Sequence, residues 1–88
     1  MEFEWDEAKR LAVLEKHGID FAKAARVFLT DHVVLPAHSE IEARFAAVGY
    51  LDGEWFTVIF TTRGDTRRLI TARKARENER RAYRSVYN

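Results

Sequence analysis

The sequence contains no cysteine, one proline and four glycines in 88 residues. Without cysteine there is no disulfide, no thiolate nucleophile and no cysteine-ligated zinc site. No apolar run approaches the roughly 18 residues of a membrane-spanning helix. The opening Met1-Glu2-Phe3-Glu4 is acidic, unlike a secretory leader. These absences predict a soluble protein of the cytoplasm, with no membrane partner. No repeat and no Gly-, Ser- or Pro-rich linker divides the chain, so residues 1–88 are expected to form one domain. A chain this short buries only about 60 to 65% of its unfolded surface, and its core is correspondingly thin.

Several chemistries also lack their usual signatures. GxGxxG, GxxxxGK[ST] and GxSxG are absent, which removes the sequence support for dinucleotide binding, P-loop chemistry and a serine-hydrolase elbow. His17, His32 and His38 form no HExxH pair, and cysteine is absent. Neither a metal site nor a cofactor is expected.

What is present is charge, unevenly placed. Residues 1–60 hold 6 Lys/Arg against 11 Asp/Glu, net −5, whereas residues 61–88 hold 9 against 3, net +6. Eleven of the 15 basic residues are arginine. The guanidinium fork matches phosphate oxygens bidentately and stacks on bases, which suits nucleic acid. A solvated helix face, or one facing an acidic partner, accounts for the charge equally well.

Periodicity supplies the elements. Phe3 and Trp5 alternate with acidic residues in a short first strand, after which Asp6 caps a helix running to about His17 and ended by Gly18. Leu11, Leu14, Ala8 and Ala12 form the expected apolar side of that helix. Asp20 restarts the pattern, and Phe21, Ala24, Ala25 and Phe28 make one buried stripe at i, i+3, i+4 and i+7. From residue 33 the period becomes two, first in Val33 to Leu35, then in Arg44 to Leu51. Asp52-Gly53 marks a tight hairpin into Glu54 to Thr62, where both faces are substantially apolar. Arg63-Gly64-Asp65 turns into Thr66 to Ala72, and a helix from Arg73 to about Tyr87 follows. The predicted fold class is α+β: a small antiparallel sheet packed by an N-terminal helix pair, in the order β-α-α-β-β-β-α, with a further short strand near residue 34. The last helix carries a thin apolar stripe and many arginines, so weak docking is expected of it.

Acid, base and arginine chemistry remain, the set that cleaves RNA without metal. A ribose 2′-OH attacks the adjacent phosphorus, cations stabilise the phosphorane, and an acid protonates the departing 5′-oxygen. Arg63, Arg68, Arg73 and Lys74 are candidate cations, and His17 and Glu79 candidate acids or bases. Tyr83 is a candidate proton donor or stacking platform. Each has a structural reading beside the chemical one. His17 suits the negative end of a helix dipole, Arg63 a surface turn, and Glu79 an ion pair with Arg76 or Arg80. Arg73 and Lys74 open the predicted helix, where the dipole disfavours cations, so a compensating phosphate or internal carboxylate is expected.

Several segments together resemble the BrnT toxins of bacterial type II toxin–antitoxin systems. Phe3-Glu4-Trp5-Asp6-Glu7-Ala8-Lys9 and Lys16-His17-Gly18 are similar to the family's W-D-x-x-K and K-H-G elements. Arg44 to Gly49 resembles its E-R-x-x-x-G segment, Arg68 to Ala75 its I-S-A-R-K-A element, and Glu79 to Tyr83 its E-R-x-x-Y element. Val13 stands where the family usually has Asn, Ala43 where Glu often precedes the arginine, and Thr71 where Ser is usual. The resemblance implies a RelE-like fold, a ribonuclease that lowers translation, and a ribbon-helix-helix antitoxin of the BrnA kind that alone contacts operator DNA. It implies functional roles for His17, Arg63, Arg73, Glu79 and Tyr83 in catalysis. Lys16, Arg44, Arg68, Lys74 and Arg80 are then expected to bind RNA. The competing expectation is a non-catalytic module whose Arg-rich helix binds nucleic acid or an acidic protein.

Overall fold

Asp6 and Asp20 each open a helix by accepting a backbone N–H, from Lys9 at 3.0 Å and from Ala22 at 2.9 Å. In the computed structural model, which describes residues 1–87, these caps begin α1 (Glu7–His17) and α2 (Phe21–Ala24). A 3₁₀ turn over Ala25–Leu29 continues α2. The strands are β1 (Glu2–Trp5), β2 (His32–Ala37), β3 (Arg44–Leu51), β4 (Glu54–Arg63) and β5 (Thr66–Lys74), and α3 spans Glu77–Tyr87. Asp52 and Gly53 both have positive φ, 51° and 79°, as a two-residue hairpin with matching twist requires.

The sheet order is β1-β5-β4-β3-β2. It is mixed rather than antiparallel, because β1 pairs in parallel with the first half of β5, Glu2 opposite Thr66 through Trp5 opposite Leu69. The predicted strand near residue 34 is β2, and it forms the other edge.

Phe56, Val58 and Phe60 of β4 point to one face with Ala47 and Leu51 of β3 and Leu69 and Ala72 of β5, where Val13, Phe21, Ala24, Val27 and Phe28 cover them. This is the hydrophobic core, and the N-terminal helical segments cover it as expected. The sidedness of α1 differs from expectation. Val13 is its buried residue, while Leu11 is 52% and Leu14 37% exposed. Against β5, α1 presents a narrow line of contact rather than a broad stripe.

Two further differences set up the opposite face. Arg73 and Lys74 belong to the end of β5, not to the start of a helix, and α3 begins three residues later. Ile59 pairs with Thr71, but the next residue, Phe60, pairs with Leu69, so Ile70 is an extra residue in β5. Without this bulge, Leu69, Thr71 and Arg73 would share one face at period two. With it, Leu69 enters the core while Thr71 and Arg73 stand beside Ile59 and Thr57 on the far side. Part of that side is covered by α3, which is held by specific contacts rather than by a wide apolar stripe. Tyr83 packs edge-on against Trp55 at 5.0 Å, Tyr87 Oη donates to the His32 carbonyl at 2.9 Å, and Glu79 is buried.

Candidate functional site

The part of this second face that α3 leaves open is a cleft of about 490 Å³. Lys9 of α1, His38 after β2, Arg44 of β3, Arg73 of β5, Arg76 before α3 and Glu79 of α3 bring charged or ionisable groups to it. Leu35, Ala46, Ile59 and Ile70 contribute its apolar lining, and Thr71 and Asn78 further polar groups. Four cations face one carboxylate there, so the cleft is electropositive with histidine neutral.

That carboxylate accepts four hydrogen bonds from the protein. Arg73 donates to it through both guanidinium nitrogens, Nη1 to Oε1 at 2.8 Å and Nη2 to Oε2 at 2.9 Å, a parallel fork. Oε1 also accepts from the Thr57 hydroxyl at 3.0 Å and from the Arg76 backbone N–H at 2.8 Å. Glu79 sits in the first turn of α3 and reaches back to the amide just before it, one half of a capping box, so one side chain ties the helix end, β4 and Arg73 together. Burial would raise the Glu79 carboxyl, but the hydrogen bonds from Arg73, Arg76 and Thr57 and the Arg73 charge outweigh it and hold the pKa at about 2. Glu79 is therefore ionised at neutral pH, held by three hydrogen bonds on Oε1 and one on Oε2. The internal carboxylate expected beside Arg73 is this one, reached from a strand rather than along a helix.

The sequence-predicted residues divide into two groups. Arg44, Arg73 and Glu79 meet in the cleft. Arg68 lies next to it, paired with Glu4 at 2.6 Å. His17 and Lys16 end α1 on its exposed surface, and Arg63 is exposed at the end of β4, beside the turn into β5; none of the three lines the cleft. Tyr83 is part of the stack that seats α3, and burial, together with Asp31 and Tyr87, raises its pKa, so it stays protonated. Arg80 donates to Glu77 and to the Ala75 carbonyl, and Lys74 lines a separate depression with Trp55 and Gly53. Lys9, His38 and Arg76 are cleft residues that sequence reasoning left out. Lys9 carried a signal, being the last residue of the W-D-x-x-K element, whereas nothing local marked His38.

Among the described residues no group of three or more His, Asp or Glu is placed to hold a metal ion, and no helix is long and apolar enough to cross a membrane. The family model described as ribonuclease toxin, BrnT, of type II toxin-antitoxin system matches residues 5–79. The chain belongs to the BrnT toxin family. A search of curated proteins returns no match. BrnT toxins are ribonuclease toxins of type II toxin-antitoxin systems, which implies RNA as substrate and an antitoxin as partner. The matched span runs from Trp5 to Glu79 and contains every ionisable residue of the cleft. Val13 is in the core and not in the cleft lining.

Proposed function

We propose that this protein is a metal-independent endoribonuclease of RelE-like type that lowers translation in the cytoplasm and is neutralised by a ribbon-helix-helix antitoxin of the BrnA kind. The observation that carries the reading is the Arg73–Glu79 fork, a guanidinium fixed at the wall of a cleft holding three further cations. RNA supplies its own nucleophile, so the protein must bind phosphate, stabilise added negative charge and move two protons. The 2′-oxygen bonds to phosphorus as its proton leaves, the bond to the 5′-oxygen breaks, and that oxygen takes up a proton. The products are a 2′,3′-cyclic phosphate and a 5′-hydroxyl.

In this assignment Arg73, Arg44, Arg76 and Lys9 hold the phosphate and its developing charge. Fixed donors cost no reorganisation at the moment of reaction. Glu79 is a positioning residue: it is ionised, so it cannot be the acid, and it keeps the Arg73 fork in register. His38 is the imidazole of the cleft and the proton-transfer group in this reading, in place of His17. The carboxylate is consumed internally, so the cleft offers its remaining polar groups to an anion rather than to a divalent cation.

The test is incubation of antitoxin-free protein with end-labelled RNA in EDTA at low salt, beside Arg44→Ala and Arg73→Ala. Cleavage by the parent that leaves 2′,3′-cyclic ends, reduced about 100-fold or more in each variant, is the expected result. Arg44→Ala is the cleaner variant, because it strands no buried carboxylate. Parental rates in both variants would sink the site assignment. Intact RNA that is nonetheless bound would favour the binding-module reading or a requirement for the ribosome.

A further inference from the structure

A second pocket, of about 500 Å³, adjoins the cationic cleft and shares Lys9, Arg44 and Ile70 with it. Its chemistry is different. Ala8 and Ala12 of α1, with Leu69 and Ile70 at the bulge, give it apolar walls, and Asp6, Glu42 and Arg68 add polar groups. A nucleobase has two apolar faces and one hydrogen-bonding edge, which such a pocket accommodates. Lys9 and Arg44 stand at the junction, where a sugar–phosphate would pass from cleft to pocket.

The polar groups are not equally available. Arg68 is committed to Glu4, and Asp6 spends one oxygen on the α1 cap. The Glu42 carboxylate accepts no hydrogen bond among the described residues, since its nearest cation, Arg44 Nε, is 3.8 Å away and beyond hydrogen-bond reach. Arg44 Nε is itself buried without an acceptor. The loop carrying Glu42 is anchored by Ser39 Oγ, which accepts from the Ile41 and Glu42 amides at 3.3 and 3.4 Å. A carboxylate about a third exposed, with no hydrogen-bond donor from the described residues, thus faces a half-apolar pocket from a braced loop, next to the phosphate cleft.

We propose that this pocket binds the guanine of the nucleotide next to the scissile phosphate, with the Glu42 carboxylate accepting from guanine N1–H and the N2 amino group. The inference rests on the ribonuclease reading above. Guanine alone presents two adjacent donors on its Watson–Crick edge, matching the two oxygens of a carboxylate. Adenine and cytosine offer one amino group beside an acceptor, and uracil one imino group between two carbonyls, so a carboxylate meets lone pairs in each case.

The test uses uridine-rich oligoribonucleotides that differ at one position, guanosine, inosine or uridine, with all-deoxy versions to report binding without cleavage. Inosine is guanosine without the N2 amino group, so it probes the contact without altering the protein. The parent is expected to bind and cut at guanosine about tenfold better than at inosine, the effect of one lost hydrogen bond to a charged group. Glu42→Gln is expected to bring that ratio close to one. An equal response to guanosine and inosine in the parent, or an unchanged ratio in Glu42→Gln, would overturn the guanine subsite while cleavage leaves the ribonuclease reading intact. Guanosine-selective binding without cleavage would keep the subsite and move the weight from a free-standing nuclease to a binding module or a ribosome-dependent enzyme. Absence of both would remove both.

Discussion

The two faces of the sheet are built from the same strands and held by different forces. On the core face Phe56, Val58 and Phe60 meet Phe28, Phe21 and Val27, and the stabilisation scales with apolar area removed from water. On the cleft face Thr57, Glu79, Arg73 and the Arg76 amide are joined by directional bonds, beside the buried Val48 and Ala46. The comparison teaches that one face makes the fold stable while the other fixes a charge in space. The buried ion network does not need to add net stability to be kept, because breaking it strands a charge.

Three measurements sharpen the contrast. Phe56→Ala removes a fully packed ring from the core face and should destabilise the protein by about 3 to 5 kcal/mol in denaturant titrations. A loss well below that would mean that the core face carries less of the stability than its packing suggests. On the cleft face the effect depends on pH. Glu79 has a folded pKa of about 2 against an ordinary 4.5, so it contributes stability that is complete above 4.5 and is lost as pH falls through 2. The loss over that window should be on the order of 3 kcal/mol, and Glu79→Gln should flatten it. Equal acid sensitivity of parent and variant would detach the network from folding. The smallest effect is expected at α1, where Leu11→Ala should shift stability by no more than about 0.5 kcal/mol, since this leucine is exposed. A larger shift would show that α1 buries the broader stripe its pattern suggested.

The same division decides what could be read from the sequence. The core face was legible wherever its signal was local: alternation in β4, the Asp52-Gly53 hairpin, the Asp6 cap and the helical restart at Asp20 are all found where predicted. The parallel pairing of β1 with β5 was not, because Glu2 and Thr66 are far apart in the chain and no local pattern marks such a partner. The Ile70 bulge was equally silent, and the exchange of faces it causes is what brings Arg73 to the cleft. Arg73-Lys74 reads as the start of a basic helix because lysine and arginine are good helix formers, yet pairing with β4 holds both in a strand. Of the cleft, Arg44, Arg73 and Glu79 were visible as types. Their meeting was not, since the cleft draws on α1, α3 and four strands, β2 to β5.

The placement of β1 against β5 also bears on biosynthesis. A ribosome makes this chain from the amino end, so Glu2 to Trp5 must wait for Thr66 to Leu69 before they have a neighbour. The cleft waits longer, because the carboxylate that orients Arg73 is Glu79. A nascent or prematurely terminated chain that stops short of this residue lacks the fork altogether, and the cleft becomes complete only once Glu79 has been added.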